Sequence, residues 1–178
     1  MDNKRYPIGQ FEKPDIISQD LIAEWISNIA AFPQDLSEQV QSLSDEQMDV
    51  PYRKNGWTLR QVVHHCADSH MNAFCRIKLA LTEDCPVIKP YFEAEWAKLA
   101  DSEIPLDASL FILRGLHKRW EALLKSLSHN DFNRNFIHPE GNKKTSIAEA
   151  IGMYSWHCKH HFAHIMIIKT NLYGGNKS

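Results

Sequence analysis

The chain has 178 residues, 43% of them apolar and 24% charged, and a formal net charge of −2. That length suits one domain, 1–178, with a real core, and the charge, without a basic tract or stripe, excludes a typical nucleic-acid binder. No apolar run approaches the ~20 residues a bilayer span needs, and the start, Met1-Asp2-Asn3-Lys4-Arg5-Tyr6-Pro7, lacks the apolar core of a signal peptide. Cys66, Cys75, Cys85 and Cys158 form no CxxC pair, so the simplest expectation is reduced thiols in a cytoplasmic protein.

Four long segments carry helical periodicity, with no convincing β-alternation between them. The first covers about residues 18–43, with Leu21, Ile22, Trp25, Ile26, Ile29, Leu36, Val40 and Leu43 as its apolar stripe. Pro33 inside it predicts a kink or short break. The second, about 58–82, opens on Thr58-Leu59-Arg60-Gln61, a capping box in which Thr58 and Gln61 satisfy free backbone donors. The third spans about 108–127, with Leu110, Leu113, Leu116, Trp120, Leu123, Leu124 and Leu127 inward. The fourth starts at a second capping box, Ser146-Ile147-Ala148-Glu149, and ends near residue 171, before Gly174-Gly175.

Four amphipathic helices of about 20 residues imply an all-α, antiparallel four-helix bundle. The connection over 83–106 is unusually long and carries Pro86, Pro90, Pro105, Tyr91, Phe92 and Trp96. A loop of that length serves as a lid, an interface or a crossover, and residues 92–99 can form a short helix in it.

Four of the ten histidines crowd the last helix: His157, His160, His161 and His164. His157 and His161 are i and i+4 on one face, His164 continues the stripe, and His160 lies at its edge. Two imidazoles so spaced can share a metal ion, and a third ligand must come from elsewhere. His129 and His138 fall in a polar connection and read as solvated. His117 sits among apolar residues of the third helix, and core packing is its simplest role. On the second helix the wheel puts His70 within the apolar face, where a core histidine would need a buried partner. His64 points nearly opposite and reads as solvated. His65 lies on the flank, on a strip with Gln61, Ser69, Asn72 and Arg76. The wheel therefore favours His65 or His70 over His64 without separating the two.

The run Gly56-Trp57-Thr58-Leu59-Arg60-Gln61-Val62-Val63-His64-His65-Cys66-Ala67-Asp68-Ser69-His70-Met71-Asn72 resembles the signature of YfiT-type metal-dependent hydrolases within the DinB-like superfamily. Tyr6-Pro7-Ile8-Gly9, Pro51-Tyr52-Arg53, Arg76-Ile77-Lys78-Leu79 and Tyr154-Ser155-Trp156-His157 extend the resemblance over nearly the whole chain. It implies a DinB-like bundle in which the second-helix ligand falls eight residues after the tryptophan, at His65. It also implies His157 and His161 as the paired C-terminal ligands, with His164 supporting them. The resemblance implies zinc or nickel, one ion per subunit, and a homodimer. A leucine is usual where this chain has Cys66, which reads as a small packing residue.

Three histidines leave coordination positions open, the mark of a catalytic rather than a closed structural site. The hydrolase reading needs a proton-handling group, yet His157-Cys158-Lys159-His160-His161 is not HExxH and carries no glutamate. Asp68, one turn beyond His65, is the candidate carboxylate and could orient a ligand imidazole, while His160, His164 and Tyr154 are candidates for proton transfer or substrate contact. The same superfamily is similar to metal-dependent S-transferases acting with a low-molecular-weight thiol such as bacillithiol, mycothiol or glutathione. A metal holds such a thiol as thiolate without a carboxylate base. A non-catalytic metal-binding scaffold is the third expectation. In the two enzyme readings the partner is a small-molecule substrate.

Overall fold

The computed structural model describes residues 4–173. Its long helices are α1 (Gln19–Val40), α3 (Leu59–Thr82), α5 (Asp107–Lys125) and α7 (Ile147–Tyr173). Each boundary lies within two or three residues of the one read from periodicity; Gly174-Gly175 fall outside the described residues. Short helices occupy the connections: α2 (Asp45–Met48), α4 (Glu93–Trp96) and α6 (His129–Phe132). No helix among the described residues is long and apolar enough to cross a membrane.

The starts of the long helices follow from local chemistry. Ser18 accepts from the Leu21 amide at the head of α1, and Thr58 and Gln61 form the full reciprocal box at the head of α3. The expected box at α7 is half made. Ser146 Oγ accepts from the Glu149 amide, but the Glu149 carboxylate pairs with Lys143 at 2.7 Å and Lys13 at 3.4 Å.

α1 and α3 each pack against both α5 and α7. The first two long helices therefore face each other across the bundle, as do the last two. Their apolar stripes meet in one core that includes Ile29, Leu36, Leu59, Ile77, Leu113, Trp120, Ile151 and Ile165. α7 approaches α1 closely at Gly152, where an added Cβ would stand 2.7 Å from the Trp25 ring. Gly152→Ala should therefore destabilise the fold by about 1–3 kcal/mol, despite alanine's better helix propensity. Urea unfolding reads this directly, and an unchanged or raised midpoint would contradict the packing argument.

Two expectations need correction. Of the kink or short break expected at Pro33, the break does not occur, since α1 runs through it. The consequence is chemical instead: Pro33 has no N–H, so the Ile29 carbonyl loses its helical donor, and His117 Nδ1–H supplies another at 2.6 Å. Nor is the chain free of strands. Residues Asn135–His138 (β1) pair antiparallel with Lys143–Ser146 (β2), Phe136 opposite Thr145. The strands are four residues each and largely polar, too short for alternation to register. Gly141 and Asn142 supply the positive φ of the connection between them.

The hairpin anchors the long 83–106 crossover. Ile88 N–H donates to the Ile137 carbonyl at 3.0 Å, and Ile137 N–H to that of Pro86 at 2.8 Å. Arg60, only 6% exposed, ties the other connections together through Asp49, Asp45 and the Ile104 carbonyl. The crossover is thus strapped over α3 and brings its own short helix α4 to one mouth of the bundle.

Candidate metal centre

α3 and α7 pack side by side, and their histidines meet between them. One ring nitrogen from each of His65, His157 and His161 lies within 4.8 Å of the others, with the Nε2 atoms of His65 and His157 3.3 Å apart. Two imidazoles on one tetrahedral zinc stand about 3.3 Å apart, given bonds of about 2.0–2.1 Å. A second group, His160, His161 and His164, is similarly close, but His164 Nε2 is already committed to the Lys4 carbonyl at 3.1 Å.

Burial keeps these imidazoles neutral. Desolvation lowers His65 to about 4 and carries His157 and His161 well below their usual value, with mutual repulsion adding to it. Neutral imidazole is the form that binds metal. Convergent nitrogens with free lone pairs fit a divalent transition-metal ion.

The triad lies in a cavity of about 490 Å³. Tyr6, Tyr52, Trp57 and Trp156 form aromatic walls, and Arg5, Arg53 and Glu93 add charge. Tyr52 stacks on His164 with centroids 4.0 Å apart, and Trp156 stacks on His160 at 4.5 Å. The Trp156 indole N–H also donates to the Gly9 carbonyl, which holds the N-terminal segment against α7.

The DinB superfamily profile matches residues 28–165. This chain belongs to the DinB superfamily. It is 50% identical over 172 residues to a protein of Bacillus cereus (strain 03BB102) named "Putative metal-dependent hydrolase", covering 97% of this chain and 99% of that one. A protein of Bacillus thuringiensis subsp. konkukian (strain 97-27) carrying the same description matches at the same identity and coverage. Among solved structures, YfiT from Bacillus subtilis, described as a probable metal-dependent hydrolase with an unusual four-helix bundle topology, superposes with a TM-score of 0.93 at 43% identity. That match covers 96% of this chain and 98% of YfiT. This DinB-superfamily chain is therefore of the YfiT type. A mycothiol-dependent maleylpyruvate isomerase shares the fold at a TM-score of 0.64 and 16% identity, covering 81% of this chain and 60% of that one.

Within this DinB-type bundle the other candidates separate cleanly. His160 and His164 line the cavity. Tyr154 is buried edge-on to His70 and beside His157, centroids 5.8 and 5.6 Å away. Asp68 is not among the cavity residues; burial and the neighbouring charge of Asp101 raise its carboxyl to about 6. It faces the crossover, so its expected link to a ligand imidazole is not made. His64 is not solvated as the wheel suggested. It is 5% exposed, bonded to Ser109 Oγ at 2.7 Å and the Ile104 carbonyl at 3.1 Å, because the crossover covers that face. His70 does have the buried partners a core histidine needs, His117 and His157. Cys66 is fully buried and packs. His129 is exposed and accepts from Gln19, and His138 lies half-buried in β1.

Sequence reading passed over Glu93, the one carboxylate among the described residues that line this cavity. Partial burial raises its carboxyl and Arg76 opposes that shift. Its signal was indirect: the abnormal length of the crossover.

Proposed function

We propose that the protein is a metal-dependent hydrolase in which His65, His157 and His161 hold one zinc or nickel ion. The observation that carries this reading is the convergence of three neutral imidazole nitrogens beside a cavity of about 490 Å³. A divalent ion there supplies Lewis acidity, lowering the pKa of a water or thiol at its open position. Glu93 accepts the proton at its carboxylate, a role its raised pKa suits. Arg5 and Arg53 orient an anionic group of the substrate, and the Arg53 Nε–H has no partner among the described residues. The aromatic walls exclude water from the apolar part of the substrate.

One observation favours a second reading, thiol S-transfer: the mycothiol-dependent isomerase shares the fold. In that reading the arginines take the anionic groups of a low-molecular-weight thiol and Glu93 is dispensable. Elemental analysis followed by a panel of chromogenic esters, amides and phosphoesters, with and without added thiol, tests both. The hydrolase reading expects chelator-sensitive turnover without thiol, and Glu93→Gln lowering kcat by about 10²-fold or more with metal content unchanged. Turnover that requires thiol and is indifferent to Glu93→Gln would favour transfer. No turnover of either kind, in a protein that binds metal, would favour a scaffold.

A further inference from the structure

His117 and His70 belong to neither the triad nor the cavity, yet they are the most deeply buried histidines, 1% and 0% exposed. They form a chain with a fixed direction. The Ile29 carbonyl can only accept, so His117 presents Nδ1–H to it at 2.6 Å. In the neutral ring His117 Nε2 is then an acceptor, and His70 donates to it from Nδ1 at 2.8 Å. His70 Nε2 accepts in turn from His157 Nδ1–H at 3.1 Å. That leaves His157 Nε2 as an acceptor, 3.3 Å from His65 Nε2 and 3.5 Å from Ser69 Oγ. Phe32 and Trp120 pack edge-on against His70, centroids 5.4 and 5.9 Å away, in place of solvent.

His161 has a shorter chain of the same logic. The Lys4 carbonyl accepts from His164 Nε2–H at 3.1 Å, so His164 Nδ1 is the acceptor that faces His161 Nδ1 at 3.4 Å. His161 Nε2 is thereby left for the triad.

We propose that His70, His117 and His164 are positioning residues. Two hydrogen-bond relays, each ending on a backbone carbonyl, lock His157 and His161 as Nδ1–H tautomers with Nε2 turned to the metal. A ligand imidazole ordinarily gives its second N–H to a carboxylate, carbonyl or water; here a neutral imidazole takes that place. The start of the longer relay is a helix proline, because Pro33 frees the carbonyl that orients His117. The inference rests on the metal-centre reading above, but the tautomers exist whether or not an ion binds.

Long-range ¹H–¹⁵N correlation spectra of the metal-free wild-type protein at pH 7.5 distinguish the tautomers directly. The relay expects Nδ1–H at His117, His70, His157 and His161, and Nε2–H at His164. An Nε2–H tautomer at His157 would overturn the proposal without touching the ligand assignment. Zinc affinity, measured by competition with a chromophoric chelator, supplies the second readout. His70→Leu should weaken binding 10–100-fold, whereas His70→Gln, which can accept from His157 and donate to His117, should restore most of it. Equal affinity of folded His70→Leu and wild type would also overturn the relay. If wild type takes up no zinc or nickel, the ligand reading fails while the spectra still decide the relay.

Discussion

Changing His65, His157 and His161 together to alanine should abolish stoichiometric zinc or nickel binding and leave the bundle folded. The three side chains contribute nitrogens to one point between α3 and α7, whereas the apolar core that holds the helices together is built from other residues. Single changes rank the roles. Losing a partner that only orients a ligand costs about 10–100-fold in affinity, so losing a ligand should exceed that. His65→Ala is thus expected to fall below His70→Gln, and His160→Ala to stay near wild type. Chelator competition reads affinity and circular dichroism reads the fold. If His160→Ala loses the metal while His65→Ala keeps it, the ion belongs to His160, His161 and His164 instead. If His70→Ala loses it while His65→Ala keeps it, the choice of α3 ligand is wrong.

The second large effect is on acid stability. His64, His65, His70, His117, His157, His160, His161 and His164 are all buried or nearly so and all shifted downward, chiefly by desolvation. His65, His117 and His160 are lowered to about 4. A histidine lowered on folding binds its proton later than in the unfolded chain. Stability is therefore complete above about pH 6.5, the unfolded value, and is lost as pH falls toward 4. Each such group contributes a slope of up to about 1.4 kcal/mol per pH unit. Asp68, raised to about 6, works the other way, gaining its proton earlier in the folded state. Glu93, also raised by burial, acts in the same direction as Asp68, and two carboxyls do not offset eight imidazoles. The metal-free protein should lose most of its urea resistance between pH 6.5 and 4.5, and bound metal should steepen the loss because protons compete for the same nitrogens. A midpoint that is flat or rises from pH 7.5 to 5 would contradict the burial of these rings.

Local features were legible from residues alone because their causes are local. The caps at Thr58 and Ser146 sit beside the amides they satisfy, and the i, i+4 spacing of His157 and His161 follows from helix geometry. His65 could not be separated from His70 on the wheel, since both lie toward the bundle; the family resemblance, not periodicity, chose His65. His64 was misread for a related reason. A wheel shows which way a side chain points, not what covers it, and here residues 83–106 close over that face. Asp68 failed likewise, because one turn from His65 along the helix is not contact with its ring. The β1–β2 hairpin was too short and polar to announce itself.

What the amino-acid order determined by itself is the set of helices, their caps and the paired imidazoles on α7. Only tertiary packing decided that α3 lies beside α7, so that His65 meets that pair, and that the crossover delivers Glu93 to the cavity. It also decided the meaning of Pro33. Along the sequence it is a helix interruption, but in the bundle its unpaired Ile29 carbonyl receives His117 from α5. The physical reason is the same in each case. Helix periodicity and capping depend on neighbours within about four residues, whereas burial, hydrogen-bond polarity and metal geometry depend on groups brought together from distant parts of the chain.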